Sequence, residues 1–353
     1  MEISTLKTTV SRIADRISNL EQKRKKNSKA IRSISEFGFK VGSLTNDNII
    51  NSVEKVKLDF KAAGIDGGLL TKTFHGVDIV LTRAAGVVFT YKNDKIASTK
   101  VYPQKVPVLV EVNSNDDGEL ITIASLYRMN EEITKAIEVA KDAEPDYLML
   151  DGPLYPHPST RIAKASDLKK LYATVVSKYN ELEKTCQKNN TILVGVVEDS
   201  RSRYFSNVLF DKIVPGLSKK HQELFIDGYR FRDTALLFDT LKMGERTSAF
   251  KLSGIQDVAY KNDLYGFYIK TAKYDRPLRI EITSKTPREL LKKVPSTIFS
   301  LASFPSYGLP SVIVEADARA KLSQRYMISI QKMLYSKSQS PLVIDLRRES
   351  RPL

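Results

Sequence analysis

KAAGIDGGLL, residues 61–70, sets one carboxylate, Asp66, in a run of small and apolar residues closed by Gly67-Gly68. A buried strand reads this way, with glycines where another part of the chain must approach the backbone closely. An Asp-Gly turn between two strands gives the same letters. If the run is a strand, Asp66 must be paired or bind a cation, because burying an unpaired carboxylate is costly. A second acid ends another apolar run, Asp151 in DYLMLDG (146–152), and this repetition favours strand-borne acids over a turn.

Working outward, VDIVLTRAAGVVFTYKN (77–93) and VPVLVEV (106–112) are rich in β-branched and aromatic residues. They predict three or more antiparallel strands beginning at the Asp66 strand, with Ala84-Ala85-Gly86 as a bend or bulge. Glu111, near the end of the last of these, is a reserve acid. A helix is predicted over about 120–141, with Leu126, Met129, Ile133, Ile137 and Ala140 on its apolar face. At 100° per residue Glu131 points nearly opposite that face, whereas Glu132 stands at its edge, where an acid can reach over the end of a covered sheet or simply rim the helix. The strand ending at Asp151 follows, so helix and strand alternate as in α/β layers, whose sites gather at strand ends.

A helix over 167–187 and a buried strand, TILVGVV (191–197), come next and lead into EDSRSR (198–203). Arg201 and Arg203 in that loop are candidate phosphate contacts, or solvated surface arginines. Residues 205–260 read as an elaboration. DLYGFYIKTAKYDRPLRIEIT (263–283) reads as a hairpin presenting Tyr265, Phe267, Tyr268, Lys270, Lys273 and Arg279. Interleaved aromatic and basic residues suit a single-stranded nucleic-acid groove, and they equally suit packing. Near the C-terminus Ser311 to Val314 reads as a short strand. A helix follows with Leu322, Tyr326, Ile330 and Met333 inward and Asp317 at its start, where capping alone would favour an acid. At the other end, residues 2 to about 26 form a helix whose Leu6, Val10, Ile13, Ile17 and Leu20 follow a heptad, before an extended piece at Phe37, Phe39 and Val41.

Composition narrows the function classes. The 353 residues carry 56 Lys plus Arg against 41 Asp plus Glu, a net charge of +15 that favours an anionic partner. No apolar run is long enough to span a membrane. The single cysteine, Cys186, excludes an intrachain disulfide and fits a reducing, cytoplasmic setting. His75, His157 and His221 are far apart, which argues against structural zinc, and no GxxxxGK[ST] loop marks an ATP motor.

An acid on a first strand, one on a helix leading into a later strand, one at that strand's end and one in a C-terminal helix resemble the RNase H-like nuclease site. More closely, the chain resembles the NurA family, nucleases of archaeal and some bacterial end-resection systems that work with the hexameric ATPase HerA. The resemblance runs from Gly64 to about Leu334. It is carried by GIDGG, by Glu132 nineteen residues before Asp151, and by LMLDGPL, VGVVEDSRSR, LKMGERTSAF and SYGLPSVIVEADARAKLS. It implies an RNase H-like mixed α/β sheet flanked by helices, after an N-terminal helix. The expected domains are an N-terminal helical segment (1–60), a nuclease domain (61–340) with an insertion at about 200–260, and a C-terminal tail (341–353).

The family's metal-binding acids correspond to Asp66, Glu132 and Asp151, and its C-terminal tyrosine to Tyr307. Two positions depart from the pattern: Gly68 replaces a usual serine, and Asp317 stands where histidine is common. A carboxylate ligates a hard cation well, so that change alters metal preference more than it removes a ligand. The resemblance further implies a DNA nuclease using Mn²⁺ or Mg²⁺, with two ions. It would be a 5′–3′ exonuclease on single- and double-stranded DNA with single-strand endonuclease activity. Its setting would be end resection in double-strand break repair, as a homodimer with a HerA-type ATPase. Two divalent ions roughly 3.5–4 Å apart would activate water and stabilise the leaving oxygen, and the cations would let a cluster of acids receive DNA. The alternatives are another RNase H-like nuclease and a catalytically silent DNA-binding adaptor of a ring motor.

Overall fold

The computed structural model describes residues 2–36, 48–75, 77–114, 116–156, 166–226, 231–252, 263–283, 287–302 and 307–339. Phe37, Phe39, Val41, His157 and the tail 341–353 lie outside the described residues. The chain opens with α1 (Glu2–Ser33), β1 (Ile50–Ser52), β2 (Lys61–Thr73), β3 (Asp78–Lys92), β4 (Lys95–Pro103) and β5 (Val108–Val112). Then come α2 (Asp117–Ala143), β6 (Tyr147–Asp151), α3 (Ser166–Lys188), β7 (Ile192–Val197), α4 (Tyr204–Val208), α5 (Lys219–Gln222) and α6 (Asp233–Thr240). The rest is β8 (Glu245–Thr247), β9 (Phe250–Lys251), β10 (Leu264–Lys270), β11 (Leu278–Thr283), α7 (Pro287–Leu301), α8 (Ser311–Ala320) and α9 (Gln324–Ser338). No helix among the described residues is long and apolar enough to cross a membrane.

The described residues form two compact units, cut differently from the expected 1–60 and 61–340. One gathers Met1–Val56, Val197–Leu252 and Asn262–Pro310; the other gathers Lys57–Val196 and the described part of the segment from Ser311.

The second unit holds the acid strand. Its strand order is β7-β6-β2-β3-β4, with β5 also on β3. The pairs β2–β6 and β6–β7 are parallel; β2–β3, β3–β4 and β3–β5 are antiparallel. This is the mixed α/β, RNase H-like sheet expected, with helices on both faces. A Cβ at Gly64 would stand 2.2 Å from the carbonyl oxygen of Val312, and one at Gly68 2.1 Å from that of Ala320, so α8 lies directly on the β2 backbone. The opposite face takes α2, whose Val139 would meet a Cβ at Gly86 at 2.7 Å. Small residues at Ala84–Gly86 therefore make room for a helix. They are not the bend expected: the β2–β3 register runs unbroken past them, and the shift in β3 falls against β4 at Thr90/Tyr91.

Ser311–Val314 is helix, not the expected short strand. Its β-branched run has strand propensity, but Val312, Ala316 and Ala320 recur every fourth residue and are buried, giving α8 one small apolar face for the glycine-lined sheet. Beyond it, Leu322, Met327 and Ile330 pack with Phe74, Ile79 and Leu81, while Tyr326 and Met333, expected inward, are exposed.

The first unit is antiparallel, in the order β1-β8-β10-β11 with β9 on β10. β10 and β11 form the expected hairpin, with Leu264 opposite Thr283. α1 runs seven residues past its expected end near Lys26 because its polar side chains find partners. Asn27 accepts the Ile226 N–H at 2.8 Å, Arg24 bonds Asp239 at 2.7 Å, and Arg32 forks onto Glu245. Leu6, Val10, Ile13 and Ile17 remain half or more exposed.

Candidate metal centre

Asp66 and Asp151 are brought together by strand register. In the parallel pair Ile65 lies opposite Leu150, so the next residues on the two strands, Asp66 and Asp151, are neighbours on one face. Asp66 is 4% exposed, and its Oδ1 accepts the Gly67 N–H at 2.6 Å. Burial first, then the Asp151 carboxylate, raises the Asp66 pKa to about 7; Asp317 adds to the rise, and the Gly67 N–H and Arg128 oppose it.

Glu132 comes from the helix on the other face. α2 is started by Asp116, whose carboxylate accepts the Glu119 N–H, and stopped by Glu144 in the left-handed region at φ 46°. That frame turns Glu132 inward against β2 at Gly67, where a Cβ would stand 2.4 Å from Glu132 Oε1. The missing side chain at Gly67 is the space the carboxylate occupies. Burial lifts Glu132 to about 8, with Asp66 and Asp151 pushing the same way and Arg128 opposing. Its Oε1 is buried without a hydrogen bond. Arg128 Nη1 stands 3.1 Å away as an ion pair, outside hydrogen-bond geometry.

The donors are all carboxylate oxygens, one of them orphaned and buried, and burial holds protons on two of the acids. A hard divalent cation fits such a set, since it replaces those protons and completes the orphaned oxygen. As arranged, no three Asp, Glu, His or Cys side chains among the described residues stand close enough to hold an ion together. Coordination by all three acids therefore requires side-chain rotation.

Asp317 sits in the second turn of α8, exposed, and is not the helix-start residue expected. Its electrostatic effect on Asp66 keeps it in the neighbourhood of the acids. Glu131 accepts from Gln104 and Asn130, away from this cluster.

The other expected residues lie in the first unit. Tyr307 is 43% exposed there. Arg201 and Arg203 are exposed on the loop after β7, and Lys273 is exposed with its ammonium 5.0 Å from the Tyr274 ring centre. Lys270 is buried, donating to the Phe238 carbonyl at 2.7 Å, so it has no ammonium to offer a surface ligand. Phe267, Tyr268 and Arg279 are interior too: the interleaved aromatic and basic residues of this hairpin serve packing and a buried polar network. Sequence reasoning passed over Arg128, although its i,i+4 spacing to Glu132 is the signal of a helical ion pair.

The NurA domain family model matches residues 60–322. Among solved structures, the NurA nuclease from Sulfolobus solfataricus is 15% identical, with 95% of this chain and 97% of that chain covered and a TM-score of 0.59. A second NurA structure is 9% identical, covering 96% of this chain and 99% of that one, at a TM-score of 0.56. A NurA structure with manganese is 11% identical, covering 94% and 99%, at 0.52. No curated protein matches the sequence.

Proposed function

Because this chain belongs to the NurA domain family, we propose that it is a metal-dependent nuclease that hydrolyses DNA phosphodiesters at the carboxylate cluster of the second unit. The observation that carries this reading is the buried, unbonded Oε1 of Glu132 beside the raised carboxyls of Glu132 and Asp66. Asp66, Glu132 and Asp151 would hold Mn²⁺ or Mg²⁺, two ions in the full site, with Asp317 as a further ligand. Bound there, the ions supply water activation and neutralise the leaving oxygen. Asp66 and Glu132 would shed their protons to bind, and the burial that raises their pKa values also limits competing water. Tyr307 is assigned to the catalytic set by its place in the family pattern. Arg201, Arg203 and Lys273 supply exposed cations for backbone phosphates.

The finer reading is a 5′–3′ exonuclease on single- and double-stranded DNA that also cuts single strands internally. It would act as a homodimer in end resection. A metal-dependent hydrolytic site cannot separate strands, so a ring ATPase of the HerA type would supply that work, with the exposed Leu6–Ile17 stripe of α1 as a candidate contact. End-labelled single- and double-stranded DNA, incubated with Mn²⁺, Mg²⁺ or EDTA, tests the core of the reading. Digestion that persists in EDTA, or none with either ion, refutes it.

A further inference from the structure

Glu132 does not wait alone for a cation. One turn earlier on α2, Arg128 sets Nη1 3.1 Å from Glu132 Oε1. Its side chain is 30% exposed while that of Glu132 is 9% exposed, so the arginine is the partner with access to solvent. Arg128 also feels Asp66 and Asp151. A guanidinium has five donors in a rigid fork and ordinarily takes a carboxylate bidentately. Here it makes an ion pair without a hydrogen bond, and the partnered oxygen remains unsatisfied. Electrostatic attraction holds the pair, with no directional bond to break, and the long arginine stem can swing outward.

We propose that Arg128 is a resident counter-cation of this centre: its guanidinium steadies Glu132 and neutralises the cluster until a divalent ion arrives, and is then displaced from Glu132. The inference rests on the metal-site reading above. Arg128 is thereby a competitor for the metal as well as a positioning residue. Those two roles predict opposite effects on affinity. If Arg128 only held Glu132 in place, removing it would weaken metal binding; if it competes, removal tightens binding, because one positive charge and one displacement step are lost.

The test is Mn²⁺ binding to the full chain without DNA, measured from the free-ion electron paramagnetic resonance signal, for wild type, Arg128→Met and Arg128→Lys. Arg128→Met keeps an unbranched apolar stem, and the expected result is Mn²⁺ affinity tighter by about threefold or more. Arg128→Lys keeps the charge and should stay near wild type. Melting curves give a second readout: Arg128→Met should lower the melting temperature in EDTA and match wild type in saturating Mn²⁺. Unchanged or weaker Mn²⁺ binding by Arg128→Met, with wild type binding normally, overturns the counter-cation role and leaves the metal site standing. Wild type that binds no Mn²⁺ overturns both. A melting temperature that stays depressed in saturating Mn²⁺ also overturns it, by making Arg128 a plain structural contact.

Discussion

Two buried polar clusters, one in each unit, use the same residue types to opposite ends. In the first unit Asp233 is fully buried, yet its carboxylate accepts the N–H groups of Phe205 and Ser206 and the Tyr268 hydroxyl, each at 2.9 Å. Glu281, equally buried, takes Arg279 at 2.9 and 3.0 Å, and Arg279 also donates to Ser200 and Ser202. In the second unit Asp66 accepts the neighbouring Gly67 N–H, and among the described residues Glu132 Oε1 has no hydrogen-bond donor. A satisfied network rigidifies, whereas an unsatisfied one holds a standing electrostatic cost that a cation can relieve. Burial alone does not distinguish structure from function here. The balance of donors against carboxylate oxygens does.

The largest expected effect breaks that comparison if it fails. Asp66→Ala should lower Mn²⁺-dependent DNA degradation by at least about 100-fold, since loss of even an outer partner of a metal site costs 10–100-fold. The same variant should melt at an equal or higher temperature in EDTA, because it removes a carboxylate buried at a cost. Glu131→Ala is its matched control and should digest labelled DNA at nearly the wild-type rate. An Asp66→Ala protein that digests normally ends the assignment.

In the first unit the sign reverses. Asp233→Ala strands two N–H groups and the Tyr268 hydroxyl, and should cost on the order of 3 kcal/mol in a urea titration, with or without Mn²⁺. A neutral or stabilised Asp233→Ala would mean that this network is not the satisfied cluster its geometry describes.

Proton linkage sharpens the contrast at smaller scale. Asp66 titrates at about 7 and Glu132 at about 8, against ordinary values of 3.8 and 4.5. Between those limits the folded, metal-free chain binds more protons than the unfolded one. Its stability should therefore fall as pH rises from about 4 to about 8. Mn²⁺ displaces the same protons, so its affinity should rise across that window and proton release should accompany binding. Calorimetry at pH 6.5 in buffers of different ionisation enthalpy measures the release. Identical heats in all buffers would contradict the raised values.

What the sequence made legible follows the same physics. The strand-borne acids were readable because an acid inside a small apolar run has few innocent explanations, and Glu132 was separable from Glu131 by helical phase alone. Asp317 was misplaced because Val312, Ile313 and Val314 carry strand propensity; only the glycine-lined face of β2 makes a helix the better packing there. Lys270, Phe267 and Tyr268 looked like a nucleic-acid surface because alternation shows which residues share a face and not which face is covered. The helix end expected near Lys26 falls short for a similar reason: Asn27 and Ser28 extend α1 through partners far along the chain, the Ile226 N–H and the Thr240 hydroxyl.

The smallest expected effect concerns the loop that carries Arg201 and Arg203. Both arginines are exposed, but the serines beside them are not loose: Ser200 and Ser202 share a 2.7 Å contact, Arg279 donates to both, and Ser202 reaches the Tyr268 hydroxyl. The satisfied cluster thus fixes the backbone on which two cations stand, which lowers the entropy cost of meeting a phosphate. Removing one arginine removes one contact: Arg203→Ala should flatten the dependence of log affinity on log salt by about 0.7 for single-stranded DNA, with little change between sequences. Lys270→Met should leave that slope unchanged, because its ammonium is already spent on the Phe238 carbonyl. Tyr268→Phe separates charge from rigidity. It keeps both arginines and loosens their support, so affinity should fall slightly while the slope holds. If Lys270→Met flattens the slope and Arg203→Ala does not, the division between buried and available cations drawn here is reversed.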